Sequence, residues 1–208
     1  MKCTVCGMDY GMTHNCAGVA PAINPEDNLP PPSGFAPIHY LREALRIAFW
    51  DDAAIRRTSR DPSAIWYGCA IWAFANALPL LVQCVELYSK AKVQQSLQLV
   101  IGLVIVLPFA GLFALLQVGA CFLIAKWFMA GEGRFVDILR PLLLGSIVLV
   151  LLVLPYVGVF AGSIAWIAVF AMVFQEIDGI APLSAYLLSA AVGILSRALE
   201  AGLEGALR

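Results

Sequence analysis

Four stretches of this chain carry no charged residue: Pro62 to Val85, Val93 to Ala125, Pro141 to Gln175 and Gly179 to Ser196. They run for 24, 33, 35 and 18 residues, whereas about 20 apolar residues in a helix cross a hydrocarbon core of about 30 Å. A water-soluble domain of 208 residues has no use for so much unbroken apolar sequence. Inside lipid the backbone polar groups must be paired within helices. The expected fold class is therefore all-α, a polytopic membrane protein. The 61 % hydrophobic content agrees, as does a charged fraction of 13 %, about half that of a soluble domain.

Turn and breaker signals divide the apolar runs. Asp61-Pro62 reads as a helix start, with Asp as N-cap and Pro at the first helical position. A first span is expected over 62–87. The 33-residue run is expected to be one long, tilted helix over 96–127, bent near Pro108 and Gly111. Leu154-Pro155-Tyr156-Val157-Gly158 splits the third run into a hairpin of two spans, 135–154 and 158–174. A fifth span is expected over 182–199. The membrane domain thus covers 61–199 as a five-helix transmembrane bundle, within a range of four to six spans, and 200–208 is a C-terminal tail.

Basic residues orient the bundle. Lys2, Arg42, Arg46, Arg56, Arg57, Arg60, Lys126, Arg134 and Arg140 fall on one side, and Lys90, Lys92, Arg197 and Arg208 on the other. Nine against four places the N-terminus in the cytoplasm by the positive-inside rule, and five spans then put the C-terminus outside. The first apolar run begins only after residue 60, so the first span is expected to serve as the membrane-targeting signal itself. Lys2 stands where N-myristoylation needs Gly.

The N-terminal head, residues 1–18, holds Cys3-x2-Cys6 followed by His14-x-Cys16. Three thiolates and an imidazole match the ligand set of a tetrahedral structural zinc site, for which Cys-x2-Cys is the usual half-site. Unligated cysteines and a redox Cys-x2-Cys are the competing readings; the redox one wants a βαβ context that is absent. A reducing cytoplasm favours metal binding over disulfides. Residues 19–37 carry Pro30-Pro31-Pro32 and read as an extended tether. Residues 38–60 read as an amphipathic juxtamembrane helix: Ile38, Leu41, Leu45 and Phe49 recur at helical spacing, and Arg42 and Arg46 share another face. It is expected to lie on the inner leaflet with Arg56, Arg57 and Arg60 near anionic lipid. The alternative is a helix packed on the membrane domain.

Within the membrane, Asn76, Pro79, Gln83 and Glu86 share one face of the first span. With Gln117 they form the candidate polar path for a small transporter or channel; the plainer reading is interhelical hydrogen bonding. Gly158-x3-Gly162 and Ala185-x3-Ser189-x3-Gly193 are small-residue tracks, expected first to serve intramolecular packing and second to serve homo-oligomerisation. Cys69, Cys84 and Cys121 read as small apolar side chains. No paired carboxylates, phosphate loop or nucleophile–base pair points to an enzyme, and no basic surface away from the membrane points to nucleic acid.

Several segments taken together resemble the Yip-domain (Ypt-interacting protein) family. They are Phe49-Trp50-Asp51-Asp52-Ala53-Ala54-Ile55-Arg56-Arg57 leading to Asp61-Pro62, Gly131-Glu132-Gly133-Arg134-Phe135, Leu154-Pro155-x2-Gly158, and Trp166 followed by Gln175-Glu176-Ile177-Asp178-Gly179-Ile180. The resemblance covers residues 40–199. It implies five spans, a cytoplasmic N-terminus and a non-enzymatic role in organising membrane or recruiting a cytosolic protein. Eukaryotic relatives are implicated in ER–Golgi trafficking through small Rab-type GTPases. The short cysteine-rich head is similar to a prokaryotic member, which implies an inner or plasma membrane.

Overall fold

A computed structural model describes residues 32, 34–90, 93–154 and 156–206, with the side chains at 106 and 195–206 excepted. All regular structure in these residues is helical. Seven α-helices follow in order: α1 (Pro37–Ala48), α2 (Asp52–Arg60), α3 (Ala64–Ser89), α4 (Val93–Phe128), α5 (Phe135–Gly145), α6 (Gly158–Asp178) and α7 (Pro182–Ala206). A 3₁₀ segment, Ser146–Val153, continues directly from α5. Among the described residues four stretches are long and apolar enough to cross a membrane: Ala64–Ser89, Leu107–Phe128, Phe135–Val153 and Gly158–Asp178. The protein is thus a multi-pass membrane protein by the length and composition of its helices. In α7 the described side chains, Pro182–Ile194, make a further apolar helix.

The single helix expected over 38–60 is two helices. α1 ends at Ala48, and Trp50 takes a left-handed φ of 65° that no continuing helix accommodates. Asp51 then starts α2, its carboxylate accepting the Ala54 amide at 3.2 Å. The start of the first span also differs in detail. Asp61 does not cap the helix at Pro62; its side chain accepts the Ser63 amide at 2.9 Å, closing a turn from which α3 begins at Ala64.

The 33-residue run is one helix, α4, continuous through Pro108. Its 36 residues extend about 54 Å, well beyond a hydrocarbon core of about 30 Å. The next span changes character halfway. After Gly145 the sequence Ser146-Ile147-Val148-Leu149-Val150-Leu151-Leu152-Val153 is rich in β-branched residues, which crowd an α-helical turn. The tighter 3₁₀ winding rises about 2.0 Å per residue, so α5 and the 3₁₀ segment together reach about 32 Å. The hairpin to α6 follows where the turn residues predict it. Tyr156 is left-handed at φ 64°, and a Cβ on Gly158 would lie 2.4 Å from the Leu151 carbonyl.

α3 and α6 both pack on α5 and its 3₁₀ continuation, and α7 packs along α6. α4 lies chiefly along α3 and meets α5 and α7 only briefly. Ser96 Oγ donates to the Cys84 carbonyl at 3.2 Å and pins the α3–α4 pair near its far end. α1 and α2 cover α5 at the opposite end. Their Tyr40, Ala44, Ile47, Ala54 and Ile55 are fully buried in the same core as Val169, Val173 and Phe174 of α6. Gly162 and Gly193, from the two small-residue tracks, face Leu152 and Ile167 of the same chain.

Candidate functional site: a charged collar at one end of the bundle

α1 and α2 form a collar whose inner side is ionic. Glu43, only 3 % exposed, projects from α1 toward α2. Arg57 Nη2 donates to its two oxygens at 3.0 and 3.3 Å, and Arg46 approaches at 3.5 Å. Removing such a carboxylate from water is costly unless a partner meets it, and a two-bonded guanidinium is the partner best suited to do so. One ion pair and one hydrogen bond to a backbone carbonyl bind the collar to the bundle. Arg56 of α2 reaches Glu176 of α6 at 2.7 Å. Arg140 of α5 donates to the Ser59 carbonyl at the end of α2 and to Asp137 at 3.2 Å.

An aromatic contact seals the seam between α1 and α3. The Tyr40 ring stacks on Tyr67 at 4.1 Å between centroids. Its hydroxyl donates to Asp61 Oδ2, and the Tyr67 hydroxyl accepts the Ala36 amide at 3.0 Å. Burial, followed by the bond to the Asp61 carboxylate, pushes the Tyr40 phenol well above its ordinary value of 10.0.

Asp178 organises the other side of this end. It is buried at the last turn of α6, and Oδ1 accepts the Gly133 amide at 2.7 Å. Its carbonyl accepts the Glu132 amide at 3.3 Å. Cβ atoms on Gly131 and Gly133 would stand 3.0 and 2.5 Å from this carboxyl group, so glycines let the 131–133 loop close over it. Four buried polar atoms find no hydrogen-bond partner among the described residues: Asp52 Oδ1, Arg57 Nη1, Arg140 Nε and Asp178 Oδ2. All four belong to the collar and the helix ends beneath it.

Three sequence stretches that are far apart in the chain therefore meet here: 49–61, 131–135 and 175–180. The Arg56–Glu176 and Gly133–Asp178 contacts tie them together. In the sequence Glu176 and Asp178 stand out only as part of the 175–180 stretch and Arg140 only as one of the basic residues that orient the bundle, and Glu43 is not singled out. An acid such as Glu43 on the face of α1 that also carries Tyr40, Ala44 and Ile47 is the signal that the sequence held.

The three arginines expected near lipid occupy different settings. Arg57 is turned inward against Glu43, Arg56 is engaged by Glu176, and Arg60 is exposed. On α1 the stripe Ile38, Leu41, Leu45 and Phe49 is exposed, with Trp50 beside it. The α1 surface that meets the bundle is the other one.

The polar face of the first span does not converge on an interior path. Asn76 Nδ2 donates to the Trp72 carbonyl of its own helix at 2.8 Å. Gln83 is exposed, and Glu86 is exposed and pairs with Lys90. Gln117 is half-buried on α4. A separate cavity of about 360 Å³ lies between α3, α4, α5 and α6, with Trp72, Leu115, Leu142 and Trp166 in its walls and Cys69 lining it as well. Cys84 and Cys121 are buried free thiols.

The expected zinc ligands Cys3, Cys6, His14 and Cys16 lie outside the described residues. Among the described residues no group of three or more His, Cys, Asp or Glu side chains is placed to hold a metal ion. Compared with known proteins, the chain matches no family model, no curated protein and no solved structure.

Proposed function

We propose that this chain is a non-enzymatic integral membrane scaffold or adaptor of the Yip-domain type. In this reading five helices span the bilayer and the N-terminus lies in the cytoplasm. The head carries one structural zinc on Cys3, Cys6, His14 and Cys16 and recruits a cytosolic protein. The observation that carries the reading is the collar. Its Glu43–Arg57 and Arg56–Glu176 pairs fix α1 and α2 to the bundle, so the segment entering at Pro37 leaves from a rigid platform rather than a floating helix. A head tethered to that platform through residues 19–37 would stay close to the membrane surface, as an adaptor requires. The nine-to-four split of basic residues supports a cytoplasmic position for that end.

The transporter reading draws less support, because Asn76 bonds its own helix and Glu86 is taken up by Lys90 at the helix end. Conducting sites place polar groups toward a shared interior.

Full-length protein in detergent is expected to hold one zinc per chain by mass spectrometry, and Cys6→Ser to lose it. Cross-linking in membranes is expected to capture a cytosolic protein with the intact chain and not with Cys6→Ser. Zinc content untouched by Cys6→Ser would refute the head assignment. Solute flux through reconstituted vesicles that Glu86→Gln abolishes, at unchanged thermal stability, would replace the scaffold by the transporter.

A further inference from the structure

The cavity between α3, α4, α5 and α6 has a composition that suits one kind of guest. Ile65, Val118, Leu139 and Leu142 line it alongside Trp72 and Trp166. About 360 Å³ is within the range of ligand sites, about 300–1,000 Å³. It is half-open, and it sits where α4 leans on α3 and leaves α5 and α6 largely uncovered. Along α3 its wall runs from Ile65 to Ala73, about 12 Å of helix, close to the depth of one leaflet of a core about 30 Å thick. It begins one residue inside the collar end of α3, so that leaflet is the one on the collar side.

The charge around its collar end is the second observation. Three exposed basic residues stand at the collar end of the bundle: Arg60, the last residue of α2, Lys126 in the last turn of α4, and Arg134 at the N-cap of α5. Lys126 sits 5.4 Å from the centre of the Phe122 ring, with its ammonium at the surface. The acidic residues nearby are Glu132, exposed in the 131–133 loop, Asp137, which Arg140 engages, Asp61, which is taken up by the Tyr40 hydroxyl and the Ser63 amide, and Asp178, which is buried under the 131–133 loop and feels the Lys126 charge. An apolar slot one leaflet deep, in a bundle with three exposed cations at its collar end, is complementary to one molecule with an alkyl tail and an anionic head.

We infer that the cavity holds one acyl chain of an anionic phospholipid from the collar-side leaflet, with its headgroup met by Arg60, Lys126 and Arg134. The chain fills space that α4 leaves open, and the lipid becomes part of the bundle. This site is independent of the zinc head, and its failure leaves the scaffold reading standing.

The test uses the full chain in nanodiscs of mixed phosphatidylcholine and phosphatidylglycerol, released into a native mass spectrometer. Wild type is expected to retain one phosphatidylglycerol, at about tenfold preference over phosphatidylcholine. Ala114→Phe and Ala73→Phe, which fill the cavity, are expected to lose that lipid. Arg60→Gln with Lys126→Gln is expected to lower the preference while the protein stays folded. Equal retention of both lipids, or undiminished retention by a folded cavity-filled variant, overturns the proposal. Alkylation of Cys69 in wild type, followed by peptide mapping, needs no variant. It is expected to be slower in phosphatidylglycerol discs than in phosphatidylcholine discs, and equal rates overturn the proposal.

Discussion

In their most apolar stretches, the α5–3₁₀ and α6 spans have 44 % of their residues buried inside the protein, against 17 % for α3 and 11 % for α4. Their mean hydropathies do not separate them: 2.3 and 1.8 for the first pair, 1.6 and 2.1 for the second. The difference lies in what each pair is asked to hold. α5 and α6 receive the collar on one side and each other on the other, and their polar ends are tied by ion pairs. α4 presents Phe109, Leu112 and Leu116 outward, which lipid accepts as readily as another helix does. Apolar sequence in a membrane protein thus supplies the span, and position relative to charged partners decides which spans become core.

Substitutions on the two pairs should behave differently. Phe174 is fully buried on α6 and stacks on Phe170 at 4.9 Å. Phe174→Ala is expected to lower stability by about 4 kcal/mol in reversible unfolding in mixed micelles. Leu112→Ala on the outer side of α4 should change it by less than about 0.5 kcal/mol. Equal losses would break the comparison.

The ion pairs come next. Glu43→Ala leaves the Arg57 guanidinium buried and unmatched, and a loss of about 3 kcal/mol is expected by the same measurement. Glu86→Gln removes an exposed pair with Lys90 and should leave stability where it was. A tolerant Glu43 would mean that the collar is not fixed as the geometry implies.

Glycines sharpen the contrast further. A Cβ at Gly133 would lie 2.5 Å from Asp178 Oδ1, so Gly133→Ala is expected to cost about 1–3 kcal/mol and to loosen the 131–133 loop to proteolysis. A Cβ at Gly102 of α4 meets nothing within 4 Å. Gly102→Ala should be neutral or add up to about 1 kcal/mol through helix propensity.

The smallest expected effect is a pH slope. Tyr40 is held protonated in the fold by burial and by Asp61, while an unfolded tyrosine ionises near 10.0. Its folded value is raised, so the stability it lends is complete below that pH and declines as pH rises above it. Thermal unfolding followed from pH 8 upward should show this fall, and Tyr40→Phe should flatten it. An unchanged slope in Tyr40→Phe would assign the fall to other groups.

Local physics made much of this architecture readable in advance. Charge-free length fixed the helical spans, the turn residues at 154–158 fixed the α5–α6 hairpin, and nothing in the 33-residue run forced a second turn into α4. Each of these depends only on neighbours along the chain. The two faces of α1 were the harder matter. Ile38, Leu41, Leu45 and Phe49 form the obvious apolar stripe and are exposed, whereas Tyr40, Glu43, Ala44 and Ile47 are buried. In water the larger stripe would turn inward; beside a bilayer, hydrophobicity no longer distinguishes protein interior from surroundings. What turns α1 is the need to match Glu43 with Arg57 and Tyr40 with Asp61, partners 14 and 21 residues away. The sequence by itself therefore determined that long apolar helices form and where the chain turns between α5 and α6. Only the tertiary structure decided which sides of them meet, because that choice rests on long-range pairing of buried polar groups.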